Sequence, residues 1–261
     1  MLGAIAGDVI GSVHEFSATK TTDFELFAEK STFTDDSVLT IAVADCLLHD
    51  RDYVDAFHEY FRAYPNAGWG LRFLDWAKAE HRDPYNSWGN GSAMRVSPVA
   101  YAFESFDDVL EHAARSASVT HDHPEGIKGA QATAAAIYLA RAGEPKDRIR
   151  LQIERRFGYD LHQRIDDLRP TYKFDESCMR TVPPAIVAFL ESDDFEDAIR
   201  KAISLGGDAD TLACIAGGIA EPFYGGVPDA IASQTLSRLD DRILGMLSKF
   251  SAWYLKPSAH T

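Results

Sequence analysis

Cysteine is scarce in this sequence. Cys46, Cys178 and Cys214 are the only three in 261 residues. They lie far apart and form no C-x-x-C pair, so the chain offers neither a disulfide framework nor a thiolate metal cluster. Buried, reduced thiols in a cytoplasmic protein are expected. Positive charge is also short: 26 Lys and Arg stand against 40 Asp and Glu, a net charge of −14. That balance argues against an electrostatic grip on nucleic acid, which is built from cations set against phosphates. Long apolar runs are missing, and none approaches the ~20 residues that span a bilayer. The opening Met1-Leu2-Gly3-Ala4-Ile5-Ala6-Gly7-Asp8 has no basic segment before its apolar residues and meets an aspartate early, so it reads poorly as an export signal. Alternating β-branched runs, internal repeats and low-complexity linkers are absent as well.

What is present is helical periodicity. Asp36 to His49 is apolar on most sides and predicts a central buried helix. Ser105-Phe106-Asp107-Asp108 predicts a helix start, and Gly126 to Ala142 an Ala-rich helix that admits close neighbours. Pro183-Pro184 fits the first turn of a helix through Leu190. Asp193 with Glu196 resembles a capping box. Thr211 to Ala220 and Asp240 to Tyr254 complete the pattern. One all-α domain over residues 1–261 is expected, with its chemistry at helix ends and in the loops between them.

Two acidic clusters stand out. Thr34-Asp35-Asp36 immediately precedes the central buried helix. A helix dipole stabilises each such carboxylate by only ~0.3–1 kcal/mol, and capping explains one of these residues rather than three. Gly206-Gly207-Asp208-Ala209-Asp210-Thr211 opens a second apolar helix with the same hard oxygen donors. If the two helix N-termini meet, the carboxylates form one Mg²⁺-type site. The Asp-x-Asp-Thr order also resembles the opening of haloacid-dehalogenase-type phosphatase sites. Its threonine comes one place too early, however, and the segment follows a helix late in the chain rather than an early strand.

Three further segments matter. Gly3, Gly7 and Gly11 share one helical face and predict a backbone packed hard against a neighbour; Glu15 follows them. Trp88-Gly89-Asn90-Gly91-Ser92-Ala93-Met94-Arg95 is a Gly-rich loop of the kind whose N–H groups cradle phosphates. Thr120-His121-Asp122-His123-Pro124 carries two imidazoles but no third nitrogen or sulfur at zinc spacing, which favours ligand contact or capping over metal.

Together, in this order, these five motifs resemble the ADP-ribosylglycohydrolases, the family of dinitrogenase-reductase-activating glycohydrolase and the ADP-ribosyl-acceptor hydrolases. The likeness runs from Gly3 to about Gly226. The resemblance implies an orthogonal α-helical bundle with two Mg²⁺ ions, for which Mn²⁺ can substitute, and hydrolysis of the bond between ADP-ribose and an acceptor. It implies Thr34, Asp35, Asp36, Asp208, Asp210 and Thr211 as the metal cage, and Glu15 and Asp36 as catalytic. It places Asn90, Gly91, Ser92, Met94 and His121 against the ligand. The expected partner is an ADP-ribosylated protein or a small ADP-ribosyl conjugate, acted on by a monomer away from membranes. Bound metal would also reconcile an acidic chain with an anionic ligand. A non-catalytic ADP-ribose reader, or a hydrolase of another phosphorylated nucleoside compound, are the alternatives. Residues 64–86 and 143–175 match no pattern.

Overall fold

Periodicity becomes helix almost throughout. The computed structural model describes residues 1–254, and among these there is no β-strand, only one isolated bridge between Gly89 and Ser177. The helices are α1 (Leu2–Gly11), α2 (Asp35–His49), α3 (Tyr53–Ala63), α4 (Leu71–Lys78), α5 (Gly91–Met94), α6 (Val99–Ala102), α7 (Phe106–Ser118) and α8 (Pro124–Arg141). They continue with α9 (Lys146–Phe157), α10 (Ile165–Leu168), α11 (Cys178–Leu190), α12 (Phe195–Ile203), α13 (Ala209–Phe223), α14 (Asp229–Leu236) and α15 (Asp241–Tyr254). None of them is long and apolar enough to cross a membrane. The cysteines are free and buried.

Helices without a polar face take the interior, because every side of them must be covered. α13 is buried from Ala209 to Ala220 and α2 from Asp36 to Cys46. α12 and α7 are amphipathic and cover that interior with one face each.

The glycine stripe sets the site's position. A Cβ at Gly3 would fall 2.3 Å from the Gly217 carbonyl oxygen, one at Gly7 2.1 Å from that of Ala213, and one at Gly11 2.5 Å from the Asp210 Cα. The partners run backwards along α13, so α1 and α13 are antiparallel with their backbones touching. The C-terminal end of α1 therefore meets the N-terminal end of α13, and residues near 15 and 210 share one end of the bundle.

Two local expectations need correction. Pro183 and Pro184 do not open α11 but sit inside it. The helix starts earlier because its first turn is clamped to the Gly-rich loop: the Asn90 amide donates to the Glu176 carbonyl at 2.7 Å and the Cys178 amide to the Trp88 carbonyl at 3.0 Å. The Arg180 carbonyl, left without its i+4 donor by Pro184, accepts instead from the Tyr172 hydroxyl at 2.6 Å. The cap of α12 is shifted by one residue. Asp194, not Asp193, is the N-cap and accepts from the Asp197 amide at 2.8 Å, while the Asp193 amide donates back to the Asp197 carboxylate at 2.9 Å. An Asp at the third helical position closes the box that Glu196 was expected to close.

Candidate active site

Thr34 caps α2, its hydroxyl oxygen accepting from the Asp36 amide at 3.3 Å. What fixes Thr34 is Asp8, a carboxylate wholly buried in α1. One Asp8 oxygen accepts from the Thr34 hydroxyl at 2.7 Å, and the other from the Thr34 amide at 2.9 Å and the Ser37 amide at 3.1 Å. The Ser37 hydroxyl also donates to it. Asp8 thus ties α1 to the first turn of α2 and fixes where Asp35 and Asp36 stand on the cavity they line. The Asp35 amide donates to the Ala67 carbonyl at 2.7 Å, which brings the segment before α4 over the same opening.

The second cluster arrives from α13. The Thr211 hydroxyl lies 3.4 Å from an Asp36 carboxylate oxygen, across 175 residues of chain. Asp208 accepts from the Asn90 side-chain amide at 2.7 Å, and Asp210 accepts from the Thr211 amide at 2.9 Å. Carboxylate oxygens of Glu15, Asp208 and Asp210 all lie within 4.8 Å of one another. Glu15, Asp35, Asp36, Asp208, Asp210 and Thr211 line one cavity of about 580 Å³, within the ~300–1,000 Å³ of small-molecule sites.

So many acids in one place resist ionisation. Burial, then the charges of Asp8, Asp35 and Asp208, push Asp36 well above the usual carboxylate range. Burial, then Asp208 and Asp36, do the same to Asp210. Burial, then Asp208, Asp8 and Glu176, push Glu15 up to about 7. Among the described residues no Lys or Arg forms an ion pair with any of them. Asp36 Oδ1 is buried with no hydrogen-bond partner, a costly state unless something else meets it. An orphaned carboxylate oxygen amid hard carboxylate and hydroxyl donors suits a hard divalent cation, which would also displace any proton held there.

The far walls come from the loops. Asn90, Gly91, Met94 and His121 line the cavity. Thr34 and Ser92 do not: the Thr34 hydroxyl is committed to Asp8, and the Ser92 hydroxyl donates to the Gly126 carbonyl at 2.7 Å behind the loop. Several lining residues went unremarked in the sequence: Trp69, Arg72, Tyr85 and Glu176. They carry no local pattern. Asp8 did carry a signal, as the lone charge inside an apolar, glycine-spaced helix.

Comparison with known proteins agrees with this architecture. The pattern of the ADP-ribosylglycohydrolase family matches residues 1–253. A Gallus gallus protein named ADP-ribosylhydrolase ARH3 is 26% identical, with 86% of this chain and 84% of that one aligned. A Pseudomonas putida protein named ADP-ribosylarginine hydrolase Tri1 is also 26% identical, over 86% of this chain and 69% of that one. A solved structure titled ADP-ribosylglycohydrolase-related protein complex superposes with a TM-score of 0.73 at 27% identity, covering 97% of this chain and 96% of that one.

Proposed function

The chain belongs to the ADP-ribosylglycohydrolase family, whose members hydrolyse ADP-ribose conjugates, and on that premise we propose that it cleaves the bond between the distal ribose and an acceptor with the help of two Mg²⁺ ions. The observation that carries the metal reading is the meeting of Asp36 with the Asp208–Thr211 turn around a buried carboxylate oxygen that has no partner. Asp35, Asp36, Asp208, Asp210 and Thr211 would hold the ions. Bound there, divalent cations would supply positive charge and Lewis acidity beside the ribose hydroxyls.

The chain's own residues do the rest. Asp8 and Thr34 hold the start of α2 in place from behind. Asn90 fixes Asp208 in one rotamer through its side-chain amide. Gly91 and Met94 shape the wall against which the diphosphate and proximal ribose lie, with His121 beside them. Glycoside cleavage passes through an oxocarbenium-like centre at C1″ and needs a proton delivered to the departing acceptor. Glu15, half-buried where the cluster opens to solvent, would hold or move that proton. Every carboxylate of the constellation is retained, which favours an enzyme over a silent ADP-ribose reader. The acceptor is a protein side chain or a small conjugate, and the chain acts as one unit and as a monomer.

The test is incubation of chelator-treated protein with arginine-, serine- and nucleobase-linked ADP-ribose, with and without Mg²⁺, reading free ADP-ribose by mass spectrometry. Release from at least one substrate only when metal is restored is expected. Tight calorimetric binding of ADP-ribose with no release from any conjugate would make the protein a reader instead.

A further inference from the structure

Among the described residues Arg95 is the largest fully buried side chain, and no carboxylate pairs with it. Its guanidinium lies over the Phe57 ring, 4.5 Å from the centroid, and Nε and Nη1 have no hydrogen-bond partner. An unpaired buried cation is expensive, so the two bonds it does make are informative. Nη2 donates to the Ser116 carbonyl at 2.9 Å, at the C-terminal end of α7, and to the Thr120 hydroxyl oxygen at 2.8 Å. That same hydroxyl lies 2.7 Å from His121 Nδ1.

The donors and acceptors along this line favour one arrangement. A guanidinium can only donate, so the Thr120 oxygen accepts from Arg95. Thr120 is wholly buried; His121 Nδ1, at 2.7 Å, is the near acceptor for its hydroxyl proton, while the Tyr85 hydroxyl, also beside it, can donate to its oxygen. The imidazole is then an acceptor at Nδ1 and must carry its proton on Nε2. Nε2 makes no hydrogen bond among the described residues, and a Cβ added at Gly91 would lie 3.2 Å from it. It therefore faces the Gly-rich loop along the cavity wall that His121 helps to line. A second proton on the ring would press two donors on the Thr120 hydroxyl and turn its own proton away to the Tyr85 hydroxyl. Burial and the charge of Arg95 likewise hold His121 well below its ordinary range.

We propose that Arg95 is a positioning residue: through Thr120 it locks His121 as the neutral Nε2–H tautomer, so that this N–H is presented to the cavity as a fixed donor for the anionic part of the ligand. The ligand half of this statement rests on the function proposed above; the relay itself does not.

The two halves are tested separately. Long-range ¹H–¹⁵N correlation spectra of ¹⁵N-histidine-labelled protein, without ligand and at neutral pH, should show His121 with a protonated Nε2 and an unprotonated Nδ1. Thr120→Ser should keep that signature, whereas Thr120→Val and Arg95→Met should mix or reverse it. A wild-type His121 that is protonated on Nδ1, or doubly protonated, overturns the relay without any variant having to fold. So does a Thr120→Val protein with an unchanged signature. In turnover assays Thr120→Val should raise KM roughly tenfold, about the worth of one charge-assisted hydrogen bond, with kcat much less affected and Thr120→Ser restoring KM. An unchanged KM alongside the predicted spectra would leave the relay standing and remove the ligand contact.

Discussion

The two ends of helix α2 handle carboxylates in opposite ways. At the C-terminal end Asp45 accepts from the Arg51 guanidinium, from His49 Nδ1 at 2.7 Å and from the Tyr60 hydroxyl at 3.3 Å. Glu59 beside it shares Arg51 and Arg242. At the N-terminal end Asp35 and Asp36 stand with Asp8, Asp208, Asp210 and Glu15, and among the described residues no lysine or arginine answers them. The favourable dipole at a helix N-terminus, ~0.3–1 kcal/mol per charge, is small against a burial penalty of several kcal/mol per ion. The rear cluster is electrostatically complete with its own side chains. On the proposed reading, cations from outside complete the front cluster, and that need is what would make it a site rather than a structural knot.

The contrast breaks most visibly at Asp210. Asp210→Asn is expected to cut turnover by more than about 100-fold, the scale that even outer-shell metal partners command. In the metal-free protein the same change should stabilise the fold at neutral pH. The sign follows from linkage. Asp210 titrates higher in the folded than in the unfolded chain, so its stability contribution is intact below the unfolded value near ~4 and lost as pH rises through the folded one. Thermal unfolding after chelation should show the variant above wild type at pH 7.5, with the gap closing towards about pH 4. A variant less stable than wild type across that range would mean the front carboxylates are satisfied already.

Gly7→Ala should come next. Its Cβ would fall 2.1 Å from the Ala213 carbonyl oxygen, so α1 must lift off α13, at a cost of ~1–3 kcal/mol by the usual measure of overpacking. Activity should fall with stability, because α1 carries Asp8 and leads to Glu15. Denaturant unfolding beside a turnover assay checks both. The smallest effect belongs to the rear. Asp45→Asn should cost ~1–2 kcal/mol, reduced because the Arg51 side chain is 30% exposed and can recover solvent, while kcat stays at the wild-type value. Loss of turnover without loss of stability at Asp45 would erase the distinction between the two ends.

Much of this was legible in the sequence. Helical periodicity located α2, α7, α8, α13 and α15 to within a few residues. The glycine spacing announced that α1 packs backbone-close against a neighbour, though not that the neighbour is α13, and the paired acidic clusters pointed to a meeting of their two helix N-termini. What escaped depended on partners distant in the chain. Pro183 and Pro184 sit inside α11 because residues 88–90 clamp its start and Tyr172 takes up a freed carbonyl. The shifted cap at Asp194 turned on which of several adjacent acids reached Asp197. Trp69 and Arg72 entered the cavity wall through a backbone bond from Asp35 to Ala67 that no local pattern records. The order Arg95, Thr120, His121 was in plain view, but the sequence could not show that the arginine is buried without an anion.

Manganese titration of chelator-treated protein, followed by electron paramagnetic resonance, probes the front cluster most directly. Two Mn²⁺ per chain with a spin-coupled spectrum are predicted, with the coupling lost in both Asp36→Asn and Asp210→Asn. Failure to bind manganese, or binding in those variants indistinguishable from wild type, would contradict the claim that these carboxylates gather around shared cations.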